Sequence, residues 1–100
     1  MLKEEKNCVE LSKELLAEMR ADGYSCRSVD THFRSVYNCL IKFCDEHFEG
    51  VYSVEAGESF MMKIKRKKLS KDQTALYRNS IERLNHAVSG NFHWRPEKNT

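Results

Sequence analysis

The sequence predicts an all-α domain of four helices, and three observations predict it. Apolar residues recur at steps of three and four through most of the chain, the spacing that builds one stripe on a helix. Four glycines and a single proline are the only strong breakers in 100 residues. No segment alternates apolar and polar residues cleanly enough to read as a strand pair. A chain of this length forms one domain around one modest core. Its 40% hydrophobic and 32% charged residues suit a soluble, helix-rich globule. The predicted helices span residues 2–22, 26–48, 54–65 and 71–89, in a domain of residues 1–90 followed by a tail of residues 91–100.

In the first helix, Cys8, Leu11, Leu15, Leu16 and Met19 share a face, and Glu4, Glu5, Lys6, Glu10, Lys13 and Glu14 turn mostly outward. Gly23 ends it, and the short link Gly23-Tyr24-Ser25 favours an antiparallel neighbour. The second helix is the best specified. Val29, Phe33, Val36, Tyr37, Leu40, Phe43 and Cys44 form its apolar stripe, and Arg27, Thr31, Arg34, Asn38 and Lys42 occupy the opposite side. Ser25 is placed to cap it, because its hydroxyl can accept from a first-turn N–H with no partner in the helix. Gly50 stands where a left-handed residue closes a helix.

Ser53 is the expected cap of the third helix, with Glu55 at the positive end of the helix dipole. That helix buries Phe60, Met61 and Ile64. Gly57 inside it costs about 1 kcal/mol relative to alanine, a cost explained if another helix must approach closely there. The run Lys63-Ile64-Lys65-Arg66-Lys67-Lys68 covers the end of this helix and the following loop. Ser70-Lys71-Asp72-Gln73 matches a capping box and opens the fourth helix, whose core stripe is Tyr77, Ile81, Leu84 and Val88. Lys71 and Arg78 sit together, about 100° round from that stripe. Gly90 terminates the helix. The tail has no helical period, and Phe92 and Trp94 are expected to fold back on the bundle or to serve a contact with a partner.

Charge is distributed unevenly. Residues 1–60 carry a net charge of −5 and residues 61–100 a net charge of +7. A chain divided in this way presents a positive end to an anionic partner. The charged start, Met1-Leu2-Lys3-Glu4-Glu5-Lys6, lacks the apolar run of a secretory signal, and no stretch approaches membrane-spanning length. Cys8 and Cys44 on core stripes, with Cys26 close to one, read as reduced, buried cysteines of a cytoplasmic protein.

The chemistry-bearing patterns are sparse. Cys44-x-x-His47 has no second Cys/His pair at zinc-site spacing, so no metal is expected. There is no nucleophile elbow and no phosphate loop. The carboxylate pairs Glu4/Glu5 and Asp45/Glu46 lie on charged faces, where they are solvated. No catalytic residue and no cofactor is expected. The basic features carry the functional reading: Arg27, Thr31, Arg34 and Asn38 on helix two, Lys63, Lys65, Arg66, Lys67 and Lys68 in the run, and Lys71, Thr74 and Arg78 on helix four. Nucleic-acid binding leads. A helical protein–protein module, with a merely solubilising basic run and docking through Phe92 and Trp94, is the second reading. A small metal-dependent enzyme, which requires converging cysteines and histidines, is the third.

A family resemblance adds to this. Tyr24-Ser25-Cys26-Arg27-Ser28-Val29, followed by Phe33, Val36, Tyr37, Leu40 and Phe43, resembles the opening of the core-binding domain of tyrosine recombinases, the phage-type integrases. Tyr52-Ser53-Val54-Glu55 with Phe60-Met61 resembles its third helix, and Tyr77-Arg78-Asn79-Ser80-Ile81-Glu82-Arg83-Leu84 its fourth. Phe92-His93-Trp94-Arg95-Pro96 is similar to the segment that leads into the linker of such integrases from mobile elements. The resemblance implies a compact four-helix, SAM-like bundle that grips one side of duplex DNA during integration or excision of a mobile element. Helices two and four would face the DNA with Arg27, Thr31, Arg34, Asn38, Lys71, Thr74 and Arg78, and Lys63 with residues 65–68 would add phosphate contacts. The family's catalytic residues belong to a separate C-terminal domain that nothing in this chain matches. The implied partners are double-stranded DNA, that catalytic domain and other recombinase protomers, in the cytoplasm of a bacterium, on its nucleoid when bound. No membrane role is implied.

Overall fold

The computed structural model describes residues 6–94, except for the side chains of Thr31 and His32. It is mostly helical, with a minimal sheet. In order, the elements are β1 (Lys6–Asn7), α1 (Cys8–Ala21), α2 (Cys26–Ser28), a π-helical turn (Val29–Phe33), α3 (Arg34–His47), β2 (Val51–Tyr52), α4 (Val54–Lys65) and α5 (Lys71–Val88).

Three expectations are corrected. The first helix begins at Cys8 and not at residue 2, because Lys6 and Asn7 pair antiparallel with Tyr52 and Val51. Residues 2–5 of the expected helix lie outside the described residues. Asn7 then caps α1, its side chain accepting from the Glu10 N–H at 3.1 Å. A two-residue strand is too short to show the alternation by which strands are recognised, so the sheet has no sequence signature. The left-handed backbone at Glu49 and Gly50 sets it up: it turns the chain after α3, and the Gly50 carbonyl accepts from the Cys8 N–H at 2.9 Å.

The second correction concerns the long helix. Val29–Phe33 forms a π turn closed by the Arg34 N–H on the Val29 carbonyl. The extra residue in such a turn shifts phase without interrupting steps of three and four, so the apolar stripe alone cannot show it. Val29, Val36, Tyr37, Leu40, Phe43 and Cys44 are all buried as expected, and Phe33 is half-buried. The third correction concerns Cys26, which is exposed, as is Cys39, whereas Cys8 and Cys44 are buried; all four are free thiols.

The caps follow the sequence. Ser25 accepts from the Ser28 N–H, Ser53 from Ala56, and Ser70 and Gln73 complete a reciprocal capping box. One core unites the elements: Leu11, Leu15 and Met19 of α1, the α3 stripe, Tyr52, Phe60 and Ile64 of α4, and Ile81, Leu84 and Val88 of α5. Two buried phenols stitch α5 to its neighbours. Tyr37 donates to the Ser80 carbonyl at 3.0 Å and Tyr52 to Asn85 Oδ1 at 2.5 Å. Gly57 lies against Tyr52 and Ile81, the close approach expected of it.

The chain after α5 turns back. Gly90 adopts φ +101°, and Trp94 stacks on His86 with centroids 5.1 Å apart. His93 reaches Asp22 at 2.8 Å and Glu18 at 3.7 Å. No helix of the described residues is long and apolar enough to cross a membrane.

Candidate nucleic-acid interface

The basic run is divided between a helix end and a loop. Lys63 and Lys65 occupy the last turn of α4, Arg66 is its C-cap, and Lys67 and Lys68 lie in the link to α5. Cations in a last turn are stabilised by the helix dipole, by about 0.3–1 kcal/mol each when exposed. That accounts for Lys63 and Lys65 without a ligand. It does not account for Lys67 and Lys68, nor for Lys71, which opens α5 at the end where the dipole disfavours a cation. Lys63, Lys65, Arg66, Lys67, Lys68, Lys71 and Arg78 are all exposed, and among the described residues none forms a salt bridge. The cations at this end of the molecule are therefore exposed and unpaired.

The cations of the other predicted face are engaged differently. Arg34 sits 3.6 Å from Asp30, which also receives Arg20 at 3.1 Å. Arg34 and Asn38 line a groove between α1 and α3, together with Val9, Leu16 and Ile41. Arg27 is exposed in α2, and Thr31 stands in the π turn with its side chain outside the described residues. Thr74 is half-buried, and its hydroxyl donates to the Ser70 carbonyl at 2.9 Å, so it reinforces the α5 cap.

The predicted residues are therefore gathered unequally. Lys65 and Arg78 flank one groove between α4 and α5, whose lining also holds Glu58 and Glu82. Lys63 and Lys67 line a different cleft of about 270 Å³, where α3 contributes Lys42, Phe43, Glu46 and Cys39 and α5 contributes Tyr77. Lys63 lies over the Phe43 ring, 5.4 Å from its centroid. Burial raises the Tyr77 phenol above its ordinary value, with a smaller push from Cys39, so it remains a neutral donor. Local spacing puts Lys42 only on an outer helical face; its place beside Lys63 and Lys67 is a product of helix packing.

Arg83 is the other residue that spacing alone did not single out. It is 5% exposed, and its guanidinium lies 5.1, 5.2 and 5.9 Å from the ring centroids of Tyr24, Phe33 and Trp94. It donates to the Trp94 carbonyl at 2.9 Å and to the Tyr24 hydroxyl at 2.7 Å, while its Nε has no partner. The signal was present: Arg83 falls in phase with Ser80, Leu84 and Ala87, all buried. This arginine pins residues 91–94 to α5. The ring of Phe92 is likewise covered by Lys6, whose ammonium lies 5.6 Å from its centroid. Phe92 and Trp94 thus fold onto the bundle, each half-buried.

No three His, Cys, Asp or Glu side chains among the described residues converge as metal ligands would. In comparisons with family models, with curated proteins and with solved structures, nothing matches the chain.

Proposed function

We propose that this chain is a helical domain that grips duplex DNA and performs no chemistry itself. The finer form of the reading is the core-binding domain of a tyrosine-type recombinase, a SAM-like bundle in which α2, the π turn and α3 act as one helix. It would hold DNA of a mobile element during integration or excision, in a bacterial cytoplasm, while a C-terminal catalytic domain performs strand exchange. Other protomers would complete the assembly. The finer form rests on the resemblance in helix order and spacing.

One observation carries the DNA reading: the exposed, unpaired cations gathered where α4 ends and α5 begins. A polyanion relieves their mutual repulsion and gains from counterion release on binding. The structure alters the weights within the predicted face. Arg34 is partly neutralised by Asp30, so the α4–α5 end should carry most of the affinity.

Fluorescence anisotropy of a labelled duplex, titrated with salt, tests this. Contact with about six phosphates gives log K against log salt a slope near −5. Replacing Lys65, Arg66, Lys67 and Lys68 by alanine should reduce that slope by about three to four. Arg27→Ala with Arg34→Ala should change it by about one. Absence of salt-dependent binding by the wild-type protein, alone and when fused to a catalytic domain, refutes the reading.

A further inference from the structure

The cleft between α3, α4 and α5 is assembled by three separate segments of chain. Lys42 comes from α3, Lys63 and Lys67 from the end of α4 and the loop beyond it, and Tyr77 from α5. None of these three ammonium groups is in a salt bridge among the described residues. One carboxylate, Glu46, shares the lining, and it lies 3.9 Å from the His47 ring nitrogen Nε2. The cleft is therefore net positive, with a buried aromatic floor provided by Phe43 and a neutral phenol on its wall.

We propose that this cleft is a seat for one phosphate group, held by the ammonium groups of Lys42, Lys63 and Lys67 and by the Tyr77 hydroxyl. The chemistry is complementary on each count. A phosphate oxygen accepts from ammonium and phenol donors alike, and its charge offsets three cations that otherwise repel one another. The Phe43 ring under Lys63 fixes that ammonium at the cleft without neutralising it. The Tyr77 hydroxyl makes no hydrogen bond within the described residues and stays protonated, so it is available as a donor. A volume of about 270 Å³ admits a phosphate with part of its ester. Two sources supply such a phosphate, a DNA backbone and a small phosphorylated molecule. Only the first of these sources rests on the proposed DNA function.

The test uses the intact chain and three variants: Lys42→Ala, Lys67→Ala and, as a control away from the cleft, Lys13→Ala. All three side chains are exposed, so the substitutions leave the core untouched. Inorganic phosphate and dimethyl phosphate are titrated by amide NMR at constant ionic strength. Localised shifts around residues 42, 63, 67 and 77 are expected, with affinity about fivefold weaker in Lys42→Ala and Lys67→Ala and unchanged in Lys13→Ala. Shifts spread evenly over the basic run, or equal losses in all three variants, overturn the proposal. DNA titrations then identify the source. A salt slope about 0.9 shallower in Lys42→Ala assigns the seat to backbone phosphate. An unchanged slope with localised phosphate binding assigns it to a small phosphorylated ligand. If the wild-type protein ignores DNA but holds phosphate in the cleft, the DNA function fails and the seat stands.

Discussion

Replacing Gly57 by alanine tests whether the α4–α5 contact is as tight as its geometry says. Gly57 is buried in α4 with an ordinary helical backbone, so helix propensity alone favours alanine by about 1 kcal/mol. Packing opposes it. A methyl group there would overlap the Tyr52 hydroxyl and stand 3.1 Å from both Tyr52 Cζ and Ile81 Cγ2. Tyr52 is fully buried and its hydroxyl is committed to Asn85, so the ring has no room to retreat. Overpacking of this kind costs about 1–3 kcal/mol, and loss of the Tyr52–Asn85 hydrogen bond adds about 1 kcal/mol. The net destabilisation is then about 2 kcal/mol, and the melting temperature of a domain of this size should fall by roughly 10 °C. Calorimetry or thermal circular dichroism reads this directly. The decisive arm is Tyr52→Phe, which removes the obstructing oxygen and costs about 1 kcal/mol by itself. Combined with Gly57→Ala, it should recover much of the loss, giving a coupling of about 1–2 kcal/mol. A neutral or stabilising Gly57→Ala, or strict additivity of the two changes, refutes the steric argument.

Two further predictions follow from buried polar groups. Arg83→Ala should destabilise the fold by about 2–4 kcal/mol and free residues 91–94; Trp94, the sole tryptophan, should then show a red-shifted emission, which Arg83→Met would reproduce even though it fills the aromatic cage. Unchanged emission in both variants would mean that Arg83 does not pin the tail. Stability should also fall at alkaline pH. Burial pushes the Tyr37 and Tyr52 phenols above their ordinary value of 10.0. Groups whose folded pKa is raised contribute their full stability below the unfolded pKa and lose it as pH rises beyond that value. Stability, read from the denaturation midpoint, should therefore hold up to about pH 10 and then fall, by about 1.4 kcal/mol per pH unit for each phenol. Tyr37→Phe should make the fall shallower. A midpoint that is flat to pH 11 would show that these phenols are not sequestered.

The legibility of the sequence followed the range of the interactions. Helix ends were readable because caps are local: Ser25, Ser53 and the Ser70–Gln73 box each act within three residues. The core stripe of α3 was readable because a 3.6-residue period reports which side faces inward. The strand pair was not, since Lys6 meets Tyr52 only after α1, α2, the π turn and α3 have been placed between them. The π turn was hidden because an added residue leaves the steps of three and four in place.

The candidate interface divides along the same line. The sequence by itself determined that positive charge is concentrated late in the chain and that α4 ends in a run of cations, because charge and local periodicity are properties of neighbouring residues. The tertiary structure alone decided which of those cations remain unpaired. It brought Arg20 against Asp30, set Lys42 beside Lys63 and Lys67, and enclosed Arg83 among three aromatic rings. The reason is physical. Coulomb energy and desolvation depend on distances through space, and those are fixed by how the helices pack and not by separation along the chain.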